Sequence, residues 1–354
     1  MGNLFGLYSF FHQSCATGTL LLQKVIYPQK SLPNLRQLIF CRLLKNKQMR
    51  KYFTLLGAAM LALLAAGCGK NVTPEESEAA VKFTLEAPQI GTKAVADGKS
   101  VDQVRCIVYR DGRLIEHGDV TKVIPMAEGK ATYETRLIIG QSYKLVFWAE
   151  VAGNAYYSFD YQNAALTVSY AGASNDDFRD AFYKVVDITV ADGAESQNVV
   201  LKRPFAQLNY GLSAADKALA DAVSPIAKSS VKIDDAAYTK MNLLTGEISA
   251  PQSVTFSAAA ILGEPLNVQP DGASAPTAYT YLAMNYILVD REVSPNTTLT
   301  LYDASDAVVA TVPVSQVPLQ RNWRTNVVGN LISAPATLNI VVDPTFENDK
   351  NISR

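Results

Sequence analysis

Three observations predict an all-β fold. Apolar and polar residues alternate with period two through many short runs, as in Val81-Lys82-Phe83-Thr84-Leu85-Glu86. Turn-forming residues recur about every 8–12 positions, the spacing of β-sandwiches. Helical periodicity is confined to two short stretches, which argues against an alternating α/β plan. The reading is about fifteen short strands with one or two short helices.

The strands do not begin at the N-terminus. Residues 1–48 hold six Lys or Arg, two cysteines and no acidic residue. They read as the product of a start assigned upstream of Met49, or as a genuine extension. At residues 49–67, Arg50 and Lys51 precede a charge-free, 14-residue apolar run from Phe53 to Ala66, followed by Gly67 and Cys68. A basic start, a short apolar centre and small residues at the end make a secretory signal. The run is shorter than the ~20 residues of a membrane span. Ala65-Ala66-Gly67 before Cys68 matches the bacterial lipoprotein signal, with cleavage between Gly67 and Cys68 and a lipid on Cys68. The plainer alternative is a secretory signal with a coincidental cysteine. Residues 68–79 are a polar, acidic tether between lipid and body.

Residues 80–203 read as a first β-sandwich. After Val81–Glu86 comes a polar loop from Pro88 to Lys99, then a strand at Val104–Tyr109 with a hairpin signal at Asp111-Gly112. Strands at Lys130–Leu137 and Ser142–Val151 follow, then a turn at Gly153-Asn154, then Ala155–Phe159 and Leu166–Tyr170. Asn175–Tyr183 is the first helical candidate, started by Asx residues, with Phe178 and Phe182 on one face, which Val185 would extend. Its acidic residues lack the spacing and glycine of a calcium loop. Residues 204–354 read as a second sandwich, opening with Phe205–Leu212. Ser213 and Asp216 resemble a capping box for a helix over Ala214–Val223. Strands at Val231–Ile233 and Tyr238–Leu244 flank an Asp-rich turn. Val254–Ile261, Tyr279–Val289, a hairpin of Leu299–Tyr302 with Val308–Pro313, Trp323–Leu331 and Leu338–Val342 complete the set.

Charge narrows the partners. Eight of the 32 basic residues and none of the 33 acidic ones precede Cys68, so residues 68–354 carry 24 basic and 33 acidic residues, a net charge of −9. Nucleic acid is not expected as a partner, because phosphate binding needs a basic face. Beyond Cys68 the one cysteine is Cys106, which reads as a small apolar side chain in a strand; the sharper alternative is a reactive or intermolecular thiol.

Catalytic motifs are scarce. His117 is the one histidine after the leader and reads as an exposed strand-end residue. There is no zinc spacing, no Gly-x-Ser-x-Gly elbow and no Gly-rich phosphate loop. Carboxylates are plentiful, but counting does not place two of them across a cleft. No catalytic residue, cofactor or metal ligand is assigned. Seventeen tyrosines and two tryptophans leave room for a sugar platform, but Phe147, Phe159 and Tyr286 sit in alternating strands and read as core.

Several runs, taken in order, resemble the fimbrillin-like lipoproteins of Bacteroidales, the subunits of type V pili. They are the leader, Val81-Lys82-Phe83-Thr84, Lys144–Ala149, Leu201–Asn209, Met241–Gly246, Tyr281–Val289 and Gln320–Leu331. The resemblance implies two transthyretin-like β-sandwich domains and a lipid-anchored precursor reaching the outer membrane and cell surface. It implies cleavage in the loop after the first strand, loss of that strand, and replacement by a strand from the next subunit. Partners would be other pilin subunits, head to tail, and a membrane through the lipid on Cys68. Carried onto this chain, the removable strand is Val81–Glu86 and the cleavage point lies between Lys93 and Ala94. Family members usually have Arg where this chain has Lys93. Cleavage by an Arg-specific enzyme is then not expected, leaving a Lys-tolerant protease or no cleavage. The alternative function is a monomeric surface lipoprotein that binds glycan or host protein.

Overall fold

In a computed structural model, residues 77–88, 98–270, 272–333 and 337–344 are described. All lie in one of the two units into which the chain divides, Pro74–Arg354; the other, Met1–Thr73, lies outside the described residues. The strands are β1 (Glu78–Glu86), β2 (Gln103–Arg110), β3 (Arg113–Leu114), β4 (Lys122–Pro125), β5 (Lys130–Ile138), β6 (Ser142–Glu150), β7 (Tyr157–Asp160), β8 (Ala165–Val168), β9 (Ala181–Thr189) and β10 (Glu195–Val200). They continue as β11 (Phe205–Leu212), helix α1 (Ala214–Val223), β12 (Lys228–Asn242), β13 (Ile248–Ala260), β14 (Leu266–Val268), β15 (Thr277–Leu288) and β16 (Glu292–Val293). The last are β17 (Thr297–Tyr302), β18 (Val308–Val314), β19 (Leu319–Gln320), β20 (Arg324–Asn330) and β21 (Thr337–Asp343). The fold is all-β and sandwich-like.

Two layered cores explain the patterning. The sheet β10-β1-β5 faces the sheet β3-β2-β6-β9, with β4 also on β2. Val81, Phe83, Leu85, Val104, Cys106, Val108, Tyr133, Leu145 and Phe147 fill the space between them. Farther along, the sheet β14-β15-β11-β20-β21 faces β18-β17-β12-β8-β7, with β13 on β12. Leu208, Tyr210, Val231, Ile233, Leu299, Leu301 and Val327 belong to this second core.

Strand β6 touches both cores. Leu145, Phe147 and Ala149 face the first, and Val146 and Trp148 face the second. A strand buried on both faces needs apolar residues at every position, so Leu145–Ala149 is a continuous apolar run. The Trp148 ring meets Tyr157, Phe159, Tyr183 and Phe205 at centroid distances of 5.1, 5.7, 6.2 and 6.2 Å. The β7–β8 hairpin precedes Lys202, yet it joins the second set of strands by pairing β8 with β12, Leu166 opposite Met241. Position in the chain therefore does not by itself assign a strand to a core.

Local signals fare unevenly. Asp111 and Gly112, with φ of 51° and 73°, form the two-residue turn between β2 and β3. Ser213 caps α1 by accepting from the Asp216 N–H at 3.2 Å. The Asp216 carboxylate does not return to Ser213; it turns inward and accepts from the Ile332 and Ser333 N–H groups. The helical candidate at Asn175–Tyr183 is a single 3-10 turn, Asp177–Arg179, after which β9 begins at Ala181. Phe178 is exposed while Phe182 is buried, so the two do not share a buried face. The Asp-rich turn after Val231–Ile233 is a register shift within one continuous strand, β12, with Asp235 at φ 51°. Two strands expected there are one, because a bulge absorbs the extra residues without ending the ladder.

Candidate functional site

The site begins with the alternation of β1. Val81, Phe83 and Leu85 are at most 2% exposed, while Lys82 on the same strand is exposed. β1 is the central strand of its three-stranded sheet. It runs antiparallel to β5, with Phe83 opposite Tyr133, and parallel to β10, with Phe83 opposite Gln197. The Phe83, Tyr133 and Phe147 rings cluster at centroid distances of 5.4–6.2 Å. On the outer face Lys82 Nζ lies 2.8 Å from the Glu134 carboxylate, and Arg136 Nε lies 3.4 Å from that of Glu78. The hydrogen bond and charge of Lys82 hold the Glu134 carboxyl below its ordinary range.

The end of β1 is tied at two points. The Leu201 N–H donates to Glu86 O and the Ala87 N–H donates to Gly129 O, both at 2.8 Å. The described chain resumes at Gly98, which is buried with φ +81°. A Cβ there would lie 3.2 Å from Pro88 O, 3.1 Å from Phe182 Cζ and 3.3 Å from Arg203 Nη2. Only glycine suits that conformation and that closeness. Pro88 and Gly98, the described residues on either side of positions 89–97, therefore lie beside one another. Lys93 and Ala94 belong to this segment and lie outside the described residues, as do Gly67 and Cys68.

Beneath Gly98 sits a charged pair that the sequence did not announce. Arg203 and Asp180 are both buried and joined by two hydrogen bonds of 2.7 Å, Nε to Oδ1 and Nη2 to Oδ2. Burial alone would lower the Arg203 pKa; the Asp180 charge and its hydrogen bonds outweigh this and raise it. Such bidentate geometry is what makes a buried pair tolerable. Arg203 also stacks on Phe182, 4.3 Å from the ring centroid. The only sequence signal was an arginine between a strand and Pro204, which does not reveal a partner 23 residues upstream.

The other candidate groups do not converge. His117 is exposed. Cys106 is buried, and burial raises its thiol pKa, the opposite of an activated nucleophile. Glu150 is buried and its pKa is raised by burial against the pull of Arg105. Its oxygens accept from Arg105 at 2.6 Å, and from Trp148 Nε1 and Gln103 Nε2 at 3.0 Å. A carboxylate so fully bonded is a structural tie. Phe147 and Tyr286 are buried and Phe159 is partly buried, packed against the second core. Among the described residues no group of three His, Cys, Asp or Glu could hold a metal ion. No helix among them is long and apolar enough to cross a membrane.

The geometry defines a sandwich-like β protein whose first strand fills its own core from the middle of a small sheet. Over residues 73–353 the chain matches a family of unknown function (DUF6562), and it belongs to that family. No curated protein matches it in sequence. Among solved structures, it is similar to a candidate cell adhesion protein from Bacteroides uniformis, at 11% identity and TM-score 0.46, covering 77% of this chain and 99% of that one. It is also similar to a fimbrial assembly protein from Parabacteroides distasonis, at 12% identity and TM-score 0.41, covering 77% and 98%. A third is the C-terminally truncated tip fimbrial protein Mfa3 from Porphyromonas gingivalis, at 10% identity and TM-score 0.41, covering 75% and 99%. Likenesses this distant do not carry a function.

Proposed function

We propose that the chain is a structural subunit of a cell-surface fimbria, in which β1 is removed and a strand from a neighbouring subunit takes its place. The lipid on Cys68 carries the precursor to the outer surface, and the cut falls between Lys93 and Ala94. One observation supports this reading above the others: β1 supplies Val81, Phe83 and Leu85 to the core from between β5 and β10. Its loss would open two strand edges and an apolar groove together. Each such side chain is worth about 1.5–3 kcal/mol on burial. A strand of similar alternation would recover both the ladder and the core, which is the physics of strand addition.

Limited digestion of the full chain with a trypsin-like protease tests this. The expected products are a chain starting at Ala94, by mass spectrometry, and a ladder of oligomers that survives mild detergent. A clipped chain that stays monomeric while binding a polysaccharide would overturn the proposal in favour of a monomeric binder.

A further inference from the structure

We propose that the β1 place reads the side chains of the strand that enters it, and that its occupant is a partner protein's strand with an aromatic residue where Phe83 now sits. The inference rests on the strand exchange proposed above and names what the incoming strand must bring. β1 runs antiparallel to β5, and each of its inward side chains has a fixed opposite number. Ala79 faces Leu137, Val81 faces Thr135, Phe83 faces Tyr133 and Leu85 faces Ala131. All eight are buried. A small residue meets a large one at each end, and two rings meet between them. The order of side chains is matched as well as their alternation.

The Phe83 position is a socket of fixed shape. The Phe83 ring lies 6.2 Å from the Tyr133 ring and 5.4 Å from that of Phe147, centroid to centroid. Tyr133 and Phe147 meet each other edge-on at 5.8 Å. The Tyr133 hydroxyl donates to Val120 O at 2.5 Å, which holds its ring in place. Phe147 belongs to β6, which is fixed between β2 and β9. An aliphatic side chain would leave part of the socket empty, and packed interiors close such gaps only in part.

The outer face sets register more than identity. Lys82 stands opposite Glu134 at 2.8 Å, and Arg136 reaches Glu78 at 3.4 Å. These pairs are exposed, and Lys122 also lies near Glu134, donating to its carbonyl. Their effect on affinity is small. A slip of two residues would set Lys82 against Arg136 in one direction and Thr132 in the other. The same slips would set Phe83 against Thr135 or Ala131 instead of Tyr133. After Cys68, the order aliphatic, basic, aromatic, any, aliphatic occurs once, at Val81-Lys82-Phe83-Thr84-Leu85. β21, the last described strand, alternates Leu338, Ile340 and Val342 and has no aromatic residue. A second copy giving β21 would leave the socket empty, which favours a different protein as donor.

The test uses the full chain with a sequence-specific protease site inserted between Lys93 and Ala94, so that the chain is cut there whatever the natural protease does. Synthetic peptides then compete with the resident strand, and native mass spectrometry reads the exchange. A peptide of residues 77–88 should displace the resident strand. Its Phe83→Ala form should need a concentration about a hundredfold higher or more. A form with Phe83→Leu and Leu85→Phe, equal in composition and alternation, should need about tenfold more. The Lys82→Gln form should stay within about fivefold. Equal displacement by the peptide of exchanged order, or by a peptide of residues 337–343, would overturn the proposal and leave strand exchange standing. A larger loss from Lys82→Gln than from Phe83→Ala would overturn it as well. A resident strand that no peptide displaces would count against strand exchange itself. The socket is then judged in the uncut chain, where Phe83→Leu with Leu85→Phe should raise the unfolding constant in urea about tenfold. An unchanged constant would overturn it.

Discussion

β1 and β11 occupy matching places and are built in opposite ways. Each has an antiparallel neighbour on one side, β5 or β15, and a parallel one on the other, β10 or β20. β1 alternates, with one face in the core and the other toward water. β11 is buried at all eight positions. Its second face carries Gln207 and Asn209, and Asn209 is held by side chains. Asn209 Nδ2 donates to Asn326 Oδ1 at 2.8 Å, and Tyr281 OH donates to Asn209 Oδ1 at 2.7 Å. Gly211 admits no larger residue easily: a Cβ would lie 2.8 Å from Tyr279 Cβ and 3.0 Å from Val328 Cγ1. β11 fits its place through specific polar and steric matches. β1 fits chiefly through alternation, with the Phe83 ring contacts inside and exposed ion pairs outside, a looser requirement than that of β11. Of the two, β1 is the one on which the proposed exchange depends.

The sharpest way to break this contrast is deletion with rescue. Removal of residues 77–88 should lower the melting temperature by about 15 °C or more. A synthetic peptide of that sequence, added in trans, should restore it. Deletion of 205–212 should not be rescued by its own peptide, because the Asn209 network and the Gly211 approach must be rebuilt together. Rescue of both strands, measured by calorimetry, would erase the distinction.

Point substitutions sharpen it on a smaller scale. Phe83→Ala should cost about 3–5 kcal/mol through the cavity it leaves. Gly211→Ala should cost about 1–3 kcal/mol through overpacking, although it adds a single carbon. Urea unfolding measures both. A harmless Gly211→Ala would show that β11 is less constrained than its neighbours indicate.

The smallest effect lies on the outer face of β1. The Glu134 carboxyl is held low by Lys82, so its folded pKa lies below the unfolded value of about 4.3. A group lowered in this way stabilises the fold above the unfolded pKa, and the contribution is lost as pH falls through the folded pKa. Melting curves of the protein and of Glu134→Gln should therefore differ at pH 7 and converge toward pH 3. Added salt should narrow the gap at pH 7, since the pair is exposed.

Local features were the ones readable from sequence. Asp111-Gly112 marked a turn because the backbone there needs positive φ. Val81–Glu86 marked a half-buried strand because its side chains alternate in water affinity. The helix at Ala214–Val223 followed from its cap. Features made by distant partners were not readable. Nothing around Glu195–Val200 says that it pairs in parallel with β1. The burial of Arg203 depends on Asp180, and that of Phe182 on a strand that replaced an expected helix. The β7–β8 hairpin joins β12 across some 75 positions of sequence, as in the pairing of Leu166 with Met241. Period and propensity describe a strand, whereas its neighbours are chosen by the whole core.

Strand β6 has a consequence for cooperativity. Leu145, Phe147 and Ala149 serve one core while Val146 and Trp148 serve the other. Neither core can melt without stripping a wall from its neighbour. Heat should meet one transition rather than two, with the calorimetric and van't Hoff enthalpies in agreement. A mutation at any of these five positions would be felt by the whole body of the protein rather than by half of it.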